Sequence, residues 1–74
     1  MDKLLNILKD ICPDVDFENT TDLVDGGHLD SLDVITLVVE LNESFNIEIN
    51  VEDILPENFN SAEAIGALVD SLSD

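Results

Sequence analysis

Apolar residues recur through the run from Leu32 to Phe45, LDVITLVVELNESF, with no Gly or Pro to interrupt them. The run is too long and too weakly alternating for one strand, so it predicts a helix. Asp30 suits its N-cap, Asp33 three residues on completes an approximate capping box, and Ser31 falls in the first turn. Stepping about 100° per residue from Val34, the residues Val38, Leu41 and Phe45 lie within about 40° and Leu37 about 60° to one side. Those five make a core face. A second stripe, Leu32, Ile35 and Val39, lies at about 160°, 100° and 140°, on the side of Thr36 and Glu43.

Two explanations of the second stripe are open. A wide apolar face can be buried whole in a small helical core. Alternatively, Leu32, Ile35 and Val39 form an exposed docking strip flanked by Asp33, Glu40 and Glu43, beside a serine held at a helix N-terminus. Such an end favours anions, so a phosphate esterified to Ser31 would meet backbone N–H groups and the positive end of the helix dipole.

Around this helix the pattern predicts three further elements. Residues 2 to 12 place Leu4, Ile7, Leu8 and Ile11 on one face, widened by Leu5 and Cys12, before Pro13 ends the helix. A long connection from Asp14 to Leu29 follows, with Phe17, Leu23, Val24 and Leu29 spaced to pin it down and Gly26-Gly27 allowing a sharp approach to Ser31. Asn46-Ile47-Glu48-Ile49 alternates like a strand but has no partner strand, so it is expected as extended loop. Asn50 is expected to cap a short turn, Val51 to Leu55, terminated by Pro56. Asn60 and Glu63 suggest a capping box for a last helix over 61 to 72, with Phe59 stapled to Ala64 and Ile65, Leu68, Val69 and Leu72 inward. The expected fold is all-α: a small four-helix bundle of three main helices and one short one, with a long first loop, in a single domain over 1 to 74.

Charge narrows the partners. Against 18 acidic residues stand only two basic ones, a net charge of −16 in 74 residues. Nucleic acid and anionic membrane surfaces are therefore disfavoured as partners, and basic protein surfaces are favoured. Lys3 and Lys9 both fall on the first helix, so a basic partner is expected to avoid it. An acidic chain can be disordered, but 45% hydrophobic residues with helical periodicity argue for a folded monomer. No apolar stretch is long enough to span a bilayer, and the amphipathic pattern after Lys3 is not that of a secretory leader. The one cysteine, Cys12, cannot form an internal disulfide, which suits a reducing cytoplasm.

Catalysis finds no support. His28 and Ser31 invite a hydrolase reading, but the Gly-x-Ser-x-Gly elbow is absent and there is one histidine, expected as a solvated loop residue. Asp22, Asp25 and Asp30 lack the alternate spacing and closing Glu of a calcium loop, and one Cys with one His is too few for a soft-metal site.

At Asp30-Ser31-Leu32 the chain resembles the phosphopantetheine attachment site of acyl carrier proteins, and the likeness covers essentially its whole length. The resemblance implies that Ser31, within Asp30-Ser31-Leu32, carries 4'-phosphopantetheine added from coenzyme A by a separate phosphopantetheinyl transferase. It also implies a carrier without catalytic residues, serving fatty acid biosynthesis or another acyl or aminoacyl pathway. Acyl- or aminoacyl-loading and acyl-transferring enzymes with basic patches would recognise Asp33, Ile35, Thr36, Val39, Glu40 and Glu43. The approach Asp22-Leu23-Val24-Asp25-Gly26-Gly27-His28-Leu29-Asp30-Ser31 departs from the Leu-Gly-x-Asp-Ser-Leu of fatty-acid carriers. With Glu57-Asn58-Phe59-Asn60-Ser61, it looks more like the D-alanyl carrier proteins of cell-wall chemistry. Thr36 stands where both groups commonly have glutamate. The rivals are an acidic interaction module using the same strip without a prosthetic group, and a divalent-cation-binding protein.

Overall fold

In the computed structural model, which describes residues 2–73, helix α1 spans Asp2–Ile11 and α2 spans Ser31–Phe45, the longest element. A 3-10 turn follows at Val51–Asp53, then the single-turn α3 at Pro56–Phe59 and α4 at Ala62–Leu72. The described residues include no strand, and the all-α bundle expected from periodicity is what forms. α1 packs mainly on α2, and α4 packs on both α3 and α1.

The core is apolar throughout. Leu4 and Leu8 of α1 meet Val34, Leu37 and Leu41 of α2 and Ala62, Ile65 and Val69 of α4, with Phe17, Leu23 and Leu29 of the long loop buried among them. The loop is therefore structural, because three of its four anticipated anchors are buried and the fourth, Val24, packs against the core. Phe59 and Ile49 close the other side. Val38 and Phe45 lie half-buried at the edge of the core face of α2, as do Leu68 and Leu72 on α4.

Two boundaries differ from the sequence expectation. Pro56 does not terminate a turn over Val51 to Leu55; it occupies the first helical position of α3, where its missing N–H costs nothing and its fixed φ suits the helix. α4 is capped by Ser61 rather than Asn60, the Ser61 hydroxyl accepting from the Ala64 N–H at 3.0 Å. Asn60 is engaged elsewhere.

α2 ends where Asn46 takes a left-handed conformation, φ 54°, with its N–H on the Asn42 carbonyl. The Asn42 side chain then accepts from the Ile49 N–H at 2.9 Å and holds the extended segment against the bundle. The Lys3 ammonium donates to the Ser44 carbonyl at 2.6 Å and lies 5.0 Å from the centre of the Phe45 ring. A cation therefore sits at the negative end of the α2 dipole, supplied by α1 since α2 has no basic residue in its last turn.

Candidate functional site

The mouth of α2 is built from two aspartates. The Asp33 N–H donates to Asp30 Oδ1 at 2.8 Å, and the Asp30 N–H donates to Asp33 Oδ2 at 3.3 Å, a reciprocal capping box made with the shorter acid. Ser31 follows immediately, exposed in the first turn. Because both carboxylates already compensate the dipole and one N–H is taken, this end attracts a further anion less than the sequence alone suggested. Its value to Ser31 is rigidity: the residue is held at the start of a capped, fifteen-residue helix.

The approach is equally constrained. Gly27 has φ +79°, a conformation that side chains with a Cβ rarely adopt. A Cβ on Gly26 would lie 2.7 Å from the Asp22 carbonyl oxygen, so that turn too closes only around glycine. His28 turns to Asp22, Nε2 to Oδ1 3.8 Å, with both side chains in solvent. The pair is a weak surface contact.

The two stripes of α2 are separated as the docking explanation requires. Leu37 and Leu41 are fully buried, whereas Leu32 is 70%, Ile35 56% and Val39 51% exposed. Wholesale burial of a wide apolar face is thereby ruled out. The acidic surround is less uniform than expected. Glu43 is exposed and about 20° from Leu32 on the helical wheel, so it borders the strip. Thr36 and Glu40, also exposed, line a hollow with Ile7, Asp10 and Ile11 and so lean towards α1. Asp33 is half-buried, and its carboxylate lies near the Cys12 thiol. Partial burial first, and then the charge of Asp33, push that thiol above its ordinary pKa, which favours the neutral form.

Ser31 and Asp30 border an open apolar groove of about 180 Å³, lined also by Val24, Leu29, Val34, Ile35, Ile54, Leu55, Pro56 and Phe59. Leu55 is itself exposed. Sequence reading did not anticipate the groove, because it joins residues more than twenty positions apart. Asn60 was also misplaced. Its Oδ1 accepts the N–H groups of Val24 and Asp25 at 3.0 and 3.1 Å, and its Nδ2 donates to Asp25 Oδ2 at 3.0 Å.

A model of the family described as phosphopantetheine attachment site matches residues 2–69. The D-alanyl carrier protein of Streptococcus suis (strain 05ZYH33) is 38% identical over 63 residues, 84% of this chain and 80% of that protein. Its counterpart from Streptococcus suis (strain 98HAH33) is 36% identical over 63 residues, with the same coverage. The D-alanyl carrier protein of Streptococcus equi subsp. zooepidemicus (strain MGCS10565) is 41% identical over 44 residues, 60% of this chain and 56% of that protein.

Proposed function

The chain belongs to the family defined by a phosphopantetheine attachment site, and from that premise we propose that Ser31 is the attachment point and D-alanine the cargo. Members of this family are carriers rather than catalysts, and they hold 4'-phosphopantetheine covalently. When bound, the group supplies a terminal thiol on which an acyl or aminoacyl unit rides as a thioester. The residues at the mouth of α2 fit it. Ser31 offers an exposed primary hydroxyl, and a modifying enzyme that grips Leu32, Ile35 and Val39 has that hydroxyl at the end of its footprint. That adjacency is the observation that carries the assignment.

Asp30 then acts by capping the helix that presents Ser31, and Leu32 by opening the strip. Asp33 contributes from beneath, as the other half of the capping box. Glu43, with Thr36 and Glu40 on the α1 side, forms the polar margin that basic patches on a phosphopantetheinyl transferase and on loading and transferring enzymes would meet. No helix among the described residues is long and apolar enough to cross a membrane.

The named relatives support an aminoacyl cargo over the fatty-acyl one. One observation favours a short acyl chain as a second reading: the groove beside Ser31 is apolar, and at about 180 Å³ it exceeds what the methyl of alanine needs. Two steps test both. Incubated with coenzyme A and a promiscuous phosphopantetheinyl transferase, the protein should gain one group by intact mass, and Ser31→Ala should gain none while keeping its helical circular dichroism. A modified Ser31→Ala protein would remove the assignment. The modified protein should next accept D-alanine from a D-alanine-activating ligase; loading by a short-chain acyl synthetase alone would favour the second reading.

A further inference from the structure

We infer that Asn60 is a positioning residue for Ser31, tying the corner between α3 and α4 to the loop that sets the entry into α2. The inference rests on Ser31 being the attachment point. It starts from the number of bonds that converge on this one half-buried residue. The Asn60 carbonyl accepts the Leu23 N–H at 2.8 Å, and its side-chain oxygen accepts the next two N–H groups, those of Val24 and Asp25. Its side-chain amide donates to the Asp25 carboxylate. Three consecutive residues of the loop are thus bound to one residue more than thirty positions away.

From Leu23 the constraint passes directly to the site. The Leu23 carbonyl accepts the Leu29 N–H at 2.8 Å, both residues are buried, and the residue after Leu29 is Asp30, the cap of α2. Asn60 is also the residue at which α3 ends, and Pro56 and Phe59 of α3 line the same groove as Ser31. Asn60 thus adjoins both the loop and the α3 residues of that groove. An amide is required there. The oxygen accepts two backbone N–H groups while a second atom, the nitrogen, donates to a carboxylate; ionised aspartate has no donor, and serine has one polar atom where the amide has two.

Asn60→Asp isolates the last of these contacts. The new carboxylate still accepts from Val24 and Asp25 but faces the Asp25 carboxylate across about 3 Å with no proton between them, so the loop must move. Asp25→Asn alone is tolerated, because its amide can turn its oxygen to Asn60. The double variant Asp25→Asn/Asn60→Asp restores a donor facing an acceptor with the direction reversed. Ile35→Asp serves as the contrast, since it alters the strip and leaves the hydrogen bonds between Asn60 and the loop in place.

The measurement is steady-state phosphopantetheinyl transfer beside amide hydrogen exchange of Leu29. Asn60→Asp should lower kcat on the order of 10- to 100-fold with little change in KM, as expected when the reacting hydroxyl is displaced but the docking strip is intact. Ile35→Asp should do the reverse. Leu29 should exchange faster in Asn60→Asp, and the double variant should recover both kcat and protection. An Asn60→Asp protein with wild-type kcat, or a double variant that restores Leu29 protection without restoring kcat, would overturn the positioning role. If the wild type gains no group at Ser31, the attachment assignment itself fails and the positioning role with it. The exchange data then separate that failure from one in the loop.

Discussion

The two faces of α2 share a backbone, a cap and nearly the same composition, yet they serve opposite ends. Leu37 and Leu41 are sealed against α1, α4 and the long loop, while Leu32, Ile35 and Val39 remain more than half exposed. Hydrophobicity alone does not separate the two sets, since leucine occurs in both and the exposed set adds isoleucine and valine, which are no less apolar. Angular position relative to the neighbouring elements does. The protein leaves apolar area in water that a small core could have used, and an exposed apolar strip beside an exposed serine is what the proposed docking would use.

The sharpest way to break this comparison is to put the same charge on each face. Leu41→Asp forces a carboxylate among apolar side chains with no partner, which should cost several kcal/mol or abolish folding. Val39→Asp, two residues away, should change stability by less than about 1 kcal/mol. Urea unfolding followed by circular dichroism compares them; equal losses would mean that the strip is part of the core.

A second test uses the charge that covers the exposed surface. With a net charge of −16, carboxylate repulsion loosens the whole fold, and added monovalent salt should raise the melting temperature by several degrees. Melts that do not move between low and high salt would show the repulsion to be negligible. Lys3→Ala should act more locally. It removes both the cation on the Ser44 carbonyl and the contact with the Phe45 ring, for a loss of about 1 kcal/mol or less, visible as faster amide exchange in the last turn of α2.

The smallest effect belongs to Cys12. Its thiol pKa is raised by partial burial and by Asp33, so the fold favours the neutral form. This contribution is fully present below the unfolded thiol pKa of 9.0 and is lost as pH rises through the higher folded value. Stability should therefore fall slightly more steeply on the alkaline side in the wild type than in Cys12→Ala. Alkylation by iodoacetamide at pH 8 should be slower than for a free cysteine; a rate equal to that of an unfolded peptide would contradict the raised pKa.

How far each feature could be read from the chain depended on the range of the interactions that fix it. α2 was legible because period, caps and the absence of breakers all act within one turn, and its two stripes follow from angle alone. Pro56 was not, since a proline that ends one turn and a proline that begins the next look the same without the position of Asn58, whose N–H reaches the Leu55 carbonyl. Asn60 and Ser61 are both good cap residues, and only the contacts of Asn60 with Val24 and Asp25 leave the cap to Ser61. That Thr36 and Glu40 also border α1 is not legible in a helical wheel, which carries no record of where α1 lies. The groove beside Ser31 is likewise a product of tertiary packing.

The division of α2 between fold and docking is tested most directly by kinetics of phosphopantetheinyl transfer to Ile35→Asp protein whose urea unfolding matches the wild type. We predict a KM for the carrier raised at least about tenfold, the loss expected when an anchor at the centre of a docking strip is made polar. An unchanged KM on a fully folded Ile35→Asp protein would contradict the account and move the docking surface off this face of α2.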